Sequence, residues 1–232
     1  MSGSDRVPPP TAPRVNLPAL APLPTAAERA AAAIREGIFN GEFMPGTPLP
    51  EATLAEALQV SRSTVRDALR MLINEHLLSY EVNRGVRVRS LRRDDLHDIY
   101  WLRSLVESAA IEALGRVEGE VDLGGLQQAV EAGEQAEKEG RWRDVGTNNV
   151  HFHLQLAATL ASPRTDEIFR RLMTELRLGF LGVADLEALH RPYVAWNRTI
   201  LDLLVARRYD AAQEELAVYL RDAEQQIAAE LE

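Results

Sequence analysis

Between Val60 and Val88 the apolar residues change their period, and that change limits the possible folds more than any other feature of the chain. In VSRSTVRDALRML, Val65, Leu69 and Leu72, with Ile73 just beyond, recur at helical spacing. Ser61 is placed to cap that helix. After Glu75, Leu78, Tyr80 and Val82 alternate with Ser79 and Glu81, and Val86 and Val88 alternate with Arg87 and Arg89. Asn83-Arg84-Gly85 lies between the two runs, so the pattern predicts a short hairpin with arginine at its tip and along one face. Upstream, TAAE makes Thr25 a helix cap with Glu28 three residues on, a capping box. The alanine-rich run that follows reaches Phe39 and stops at NGEFMPG. Pro50 introduces a second short helix, Glu51 to Leu58, and Gln59-Val60 is a tight connection. The predicted order is helix, helix, helix, hairpin.

A short helix, a tight turn and a helix opening on polar residues is the helix-turn-helix arrangement, whose second helix enters the major groove by its N-terminal end. Arg62 and Arg66 stand one turn apart on that leading face, and Arg70 follows four residues later. Arginine suits guanine because its planar fork donates to O6 and N7 together. Ser61, Ser63 and Thr64 are within reach of phosphate or base edges. Arg84 and Gly85 at the hairpin tip, with Arg87 behind them, bring a second cationic cluster beside the helix.

The charge supports this only when it is divided. The whole chain of 232 residues carries a net −9. Residues 1–93 hold 12 arginines against 9 acids, whereas residues 94–232 hold 14 basic residues against 26 acids. Within 61–93 there are 8 arginines and 3 acids. A polyanion therefore suits the first part and not the second.

From Asp94 onward the chain reads as helical: 94–114, 122–139, 143–160, 165–181, 186–206 and 209–230, packed as an all-helical bundle. The expected division is a proline-rich disordered tail over 1–24, a winged helix-turn-helix and linker over 25–93, and a helical domain over 94–232. The expected fold class is mostly α. With no cysteine, no apolar run near membrane-spanning length and no signal or transit segment, a cytoplasmic protein without membrane association is expected. There is no H-E-x-x-H, no glycine-rich phosphate loop and no G-x-S-x-G elbow, so no catalytic residues are assigned and an enzyme is not expected.

His151-Phe152-His153 does not read as a metal pair, since residues two apart on a helix point in different directions. Asn149, four residues before His153, shares its face instead.

The segment GTPLPEATLAEALQVSRSTVRDALRMLINEHLLSYEVNRGVRV resembles the winged helix-turn-helix of GntR-type bacterial transcription regulators, over Thr25 to about Arg89. The Arg103-to-Glu107 spacing and the helical remainder are similar to the FadR-like branch, in which a C-terminal helical domain binds effector and helps pair the subunits. The resemblance implies base reading by Arg62 and Arg66, phosphate or base contacts by Ser61 and Thr64, and a minor-groove tip at Gly85. It departs at Ala52, where some relatives carry arginine, and at Thr64, where proline is common. FadR-like domains often carry D-x-x-x-H on the helix of His153 and two further histidines. Here Asn149 stands on the aspartate, Asn197 on the second histidine and Tyr219 at or near the third. No metal or other cofactor is therefore expected, since zinc wants about three strong ligands. Arg103, Asn149, His153, Asn197 and Tyr219 remain as expected effector contacts, with an organic acid as the expected ligand class. The overall expectation is a homodimeric repressor that binds a short inverted repeat of double-stranded DNA and is controlled by a small molecule. The alternative is a DNA-binding regulator whose helical domain is filled and acts through a protein partner.

Overall fold

A computed structural model describes residues 24–231; the expected tail over 1–24 lies, but for Pro24, outside them. Helix α1 (Ala26–Phe39) opens with the capping box: Thr25 Oγ1 accepts from Glu28 N at 3.1 Å and Glu28 accepts from Thr25 N at 2.6 Å. Its buried side, Ala30, Ala31, Ile34 and Ile38, packs on α3 (Arg62–Asn74), which buries Val65, Ala68, Leu69 and Leu72. Between them α2 (Glu51–Leu58) ends at Gln59, whose φ of 54° turns the chain towards Ser61. Ser61 Oγ accepts from Thr64 N at 3.1 Å and caps α3.

Strands β1 (Leu78–Glu81) and β2 (Gly85–Val88) pair antiparallel, with Leu78 opposite Val88 and Tyr80 opposite Val86. Only the base of this hairpin is in the core. Leu78 and Val88 are buried, whereas Tyr80 is 65% and Val82 77% exposed, because the tip extends past the helices that cover the base. The loop before α2 adds a third, short pairing: Leu49 N donates to Val86 O at 2.9 Å and Gly46 N to Val88 O at 2.8 Å.

Six helices follow: α4 (Arg93–Gly115), α5 (Gly124–Lys138), α6 (Trp142–Ala158), α7 (Pro163–Leu176), α8 (Leu186–Val205) and α9 (Tyr209–Glu230). The last coincides with the expected span and most others differ by a residue or two at their ends. The expected 165–181 helix instead starts at Pro163 under the Ser162 cap and tightens into a 3-10 turn over Arg177–Phe180. Helix α4 runs antiparallel to α9, as the His97–Glu224 contact at one end and Gln213–Ser108 at the other require. Among the described residues there are nine α-helices and one two-stranded sheet, a mostly α chain with a winged helix-turn-helix ahead of a helical domain. Most buried apolar residues form one continuous cluster running from Ile34 and Leu69 through Leu91 to Ile111 and Leu216, and Ala136, Val145 and Val194 form a small second one. No helix among the described residues is long and apolar enough to cross a membrane.

Candidate nucleic-acid interface and buried polar cluster

The amphipathic pattern of α3 leaves Arg62, Ser63, Arg66 and Arg70 exposed, with Thr64 half-buried behind the cap. Ser61 Oγ also lies 2.8 Å from both Ser63 Oγ and Thr64 Oγ1, so the helix start is a tight cluster of hydroxyls. Arg66 does not stand alone. Its Nε and Nη2 donate to the two carboxylate oxygens of Glu51 at 2.9 and 2.8 Å, a bidentate pair across the helix-turn-helix. The pair holds the Glu51 carboxyl below its ordinary pKa and raises that of Arg66. Arg62 adds its charge to the surroundings of Glu51 and forms no ion pair among the described residues. Arg70 lies 3.5 Å from Asp67.

At the wing tip Asn83 and Gly85 take φ of 66° and 77°, left-handed conformations that favour asparagine and glycine. Nothing lies within 4 Å of where a Gly85 side chain would start, so the tip is open to a close approach. Arg84 is exposed and lies 3.5 Å from Glu81. The arginines behind the tip face inward. Arg87 Nη1 donates to Gly46 O at 2.7 Å, tying β2 to the loop. Arg89 leaves the wing altogether: it is paired with Asp95 at 2.8 Å and with Glu175 on α7. The alternation of the strand predicted which face these arginines share, but not that Gly46, Asp95 and Glu175 would be waiting there.

In the helical part, α4, α6, α8 and α9 bring the five expected effector residues together, all buried except the half-buried Asn149. Arg103 Nε donates to Glu107 Oε1 at 2.9 Å, and Glu107 Oε2 lies 2.6 Å from His153 Nδ1. His153 Nε2 is 2.9 Å from the Tyr219 hydroxyl. Asn149 Oδ1 accepts from Tyr219 at 2.8 Å and from Asn197 Nδ2 at 2.7 Å. Burial opposes the Glu107 carboxylate, but His153 and Arg103 outweigh it and hold its pKa below the ordinary value. Burial and then Arg103 keep His153 below its ordinary value against the pull of Glu107, so the ring is neutral and donates from Nδ1 to Glu107. Tyr219 then faces two acceptors with one proton, which burial holds firmly on the phenol. Arg103 Nη2 and Asn197 Oδ1 are buried without a partner among the described residues. The cluster is thus short of both a donor and an acceptor.

These groups do not fit a transition metal. Asn149 Oδ1 is doubly occupied, His153 is bonded at both nitrogens, the two Glu107 oxygens are taken by Arg103 and His153, and the remaining donors are a neutral amide and a protonated phenol. The described residues contain no group of three or more His, Cys, Asp or Glu side chains arranged to hold a metal. The cavity lined by Arg103, Asn149 and Tyr219 measures about 10 Å3, room for a water and little more.

His190 on α8 was not singled out by the sequence. It is 4% exposed, sits edge-on to Phe180, and is pushed down to about pKa 4 by burial and by Arg177. It fits because α6 has Gly146 beside it, where a side-chain carbon would fall 2.5 Å from His190 Nε2. A lone histidine next to arginine gives no periodic signal that would have marked it.

The family model for bacterial regulatory proteins of the gntR family matches residues 26–88, and that for the FCD domain matches residues 98–222. The crystal structure of a putative transcriptional regulator GntR from Rhodococcus sp. RHA1 is similar with a TM-score of 0.81 and 37% identity, over 88% of this chain and 97% of that one. An uncharacterized HTH-type transcriptional regulator of Bacillus subtilis, YdhC, is 35% identical over 44% of this chain and 46% of its own length. The gluconate operon transcriptional repressor of Bacillus licheniformis is 36% identical over 38% of this chain and 36% of its own. The chain spans less than half the length of these two curated relatives.

Proposed function

The chain belongs to the GntR family of bacterial regulatory proteins, with an FCD domain following the winged helix, and on that premise we propose a DNA-binding transcriptional repressor controlled by a small molecule. One observation carries the DNA reading. The exposed side of α3 and the wing tip offer Arg62, Arg66, Arg70, Arg84 and the open turn at Gly85 from the most cationic stretch of an otherwise acidic chain. Ser61, Ser63 and Thr64 at the head of α3 contact phosphate, Arg62 and Arg66 read bases, and Arg84 with Gly85 follows the minor groove. Arg87 contributes by holding the wing against the loop at Gly46. The functional units are 25–93 for DNA and 94–232 for effector and pairing, and the protein works in the cytoplasm, where its duplex is.

One recognition helix reads too few base pairs for genomic discrimination, so two copies act together on an inverted repeat with half-sites about 34 Å apart. Trp101 and Leu105, one turn apart on α4, are 61% and 50% exposed. The antiparallel neighbour α9 brings Val218, 44% exposed, to the same level. This apolar stripe supports a twofold contact. The test of the DNA reading is selection of bound duplexes from a random pool. A palindromic winner is expected; failure to retain any duplex at low salt would remove the reading.

The alternative of a filled helical domain that acts through a protein partner draws on the 10 Å3 cavity. A protein that binds its operator equally with and without every small molecule it takes up would favour that alternative.

A further inference from the structure

The bundle interior is nearly full, yet a cleft of about 350 Å3 opens where the winged helix meets the helical part. Phe39, Asn40 and Met44, at and beyond the end of α1, form one wall. Arg143 and Thr147 on α6, Arg177 and Phe180 on the 3-10 turn, and His190 on α8 form the other. Arg177 is the unusual member. Both its Nη atoms donate to the one hydroxyl of Thr147 at 3.2 Å, and its guanidinium stacks 4.7 Å over the Phe39 ring. It has no carboxylate partner among the described residues, and burial alone pulls its pKa down. Of the other half-buried arginines, Arg35, Arg89 and Arg198 each meet a carboxylate, and Arg87 lies 3.9 Å from that of Glu81. A fork built for two oxygens here meets one weak acceptor.

The charges around the cleft favour a single negative charge. On the lining Arg143 and Arg177 are cationic and Asp144 is anionic, which leaves one positive charge unbalanced, and His190 is neutral at neutral pH. The rest of the lining is largely apolar, and the volume lies in the range of small-molecule sites.

We propose that this junction cleft binds a small monocarboxylic acid with an apolar body, its carboxylate held by the Arg177 fork and its body against Phe39, Met44 and Phe180. The ligand replaces the hydroxyl as acceptor for the Arg177 fork and lies beside the bond from Arg143 Nη1 to Asn40 O, 2.7 Å long. The stack of Arg177 on Phe39 and the Arg143 bond to Asn40 both join the end of α1 to the helical part, and α1 packs directly on α3. Occupancy therefore changes the hold on the recognition helix. This consequence rests on the regulatory reading; the binding itself does not.

The test uses the full chain without DNA and titrates benzoate and hexanoate by calorimetry, with inorganic phosphate as the comparison anion. Saturable binding of a carboxylate in preference to phosphate is expected. Arg177→Gln should weaken it at least tenfold, as should Leu186→Trp, which fills the cleft from its rim and keeps the cation. Ile168→Ser, at an exposed position on α7 outside the cleft lining, should bind within twofold of the unaltered protein. Absence of saturable carboxylate binding overturns the proposal. So does a loss caused by Ile168→Ser as large as that caused by Arg177→Gln, or binding untouched by both Arg177→Gln and Leu186→Trp. Because no duplex is present, these outcomes are independent of whether the DNA reading stands.

Discussion

Arg66 is the residue for which sequence and structure complement each other most closely. Its place on the leading face of α3 followed from helical spacing, while its bidentate pair with Glu51 depends on how α2 crosses α3. The proposed base contact must replace that pair or share the guanidinium with it, so under that reading Glu51 competes with DNA. Arg66→Ala should lower the preference for operator over random duplex by roughly 5- to 150-fold, the range for one bidentate base contact. Glu51→Gln should raise affinity for both duplexes by removing the competing charge. Equal losses on operator and random DNA for Arg66→Ala would take it off the list of base readers. His190 yields a pH prediction. Its pKa falls from about 6.5 unfolded to about 4 folded, so the unfolded chain binds the additional proton between those values. Stability is full above about pH 6.5 and is lost as pH falls towards 4, by on the order of 3 kcal/mol from this group. His153, also depressed, adds to the same slope. Denaturant unfolding from pH 7 to 4.5 should show it, and His190→Gln should flatten the slope by up to one proton.

At the level of elements, the three helices and hairpin were legible because each is written within a few residues: the Thr25 and Ser61 caps, the apolar stripe of α3 and the left-handed turn at Asn83 and Gly85. What the hairpin's alternation did not disclose is that only its base is covered, leaving Tyr80 and Val82 exposed. Nor did it disclose the task of Arg89. This side chain joins the end of the wing to both the start of α4, through Asp95, and the middle of the bundle, through Glu175. It is a mechanical link and not a free cation for phosphate. Arg89→Ala removes the partner of Glu175 and one of the partners of Asp95 and should cost about 1–3 kcal/mol of stability. It should also open residues 89–93 to limited proteolysis while the salt dependence of DNA binding stays unchanged. A flatter salt dependence would instead make Arg89 a phosphate contact.

For the whole molecule, the proposed DNA reading agrees with the division of charge: a cationic helix and wing suit a duplex, and an acidic bundle does not. The junction between them is crossed by the apolar cluster through Leu91 and by polar contacts that include Arg89 with Glu175, Arg143 with Asn40 O, and Arg177 over Phe39. The last two border the cleft in which ligand binding is proposed. Pairing belongs to the same scale. Trp101→Glu with Leu105→Glu should convert a dimer into a folded monomer by sedimentation, and should weaken binding to the full repeat far more than to a half-site. A double variant that still sediments as a dimer moves the twofold contact away from α4.

The amino-acid sequence by itself determined the order of elements, the mostly helical class, the cationic face of α3 and the lack of strong metal donors at Asn149, Asn197 and Tyr219. Periodicity, capping and donor chemistry are local properties, readable within a turn or two of helix. Only the tertiary structure decided which polar groups meet: Glu51 with Arg66, Arg89 with Glu175, Asn149 with Asn197 and Tyr219, and Arg177 with no carboxylate. Those pairs lie from 15 to 86 residues apart along the chain. Their meeting depends on the angles and depths at which helical faces pack, which no local pattern records.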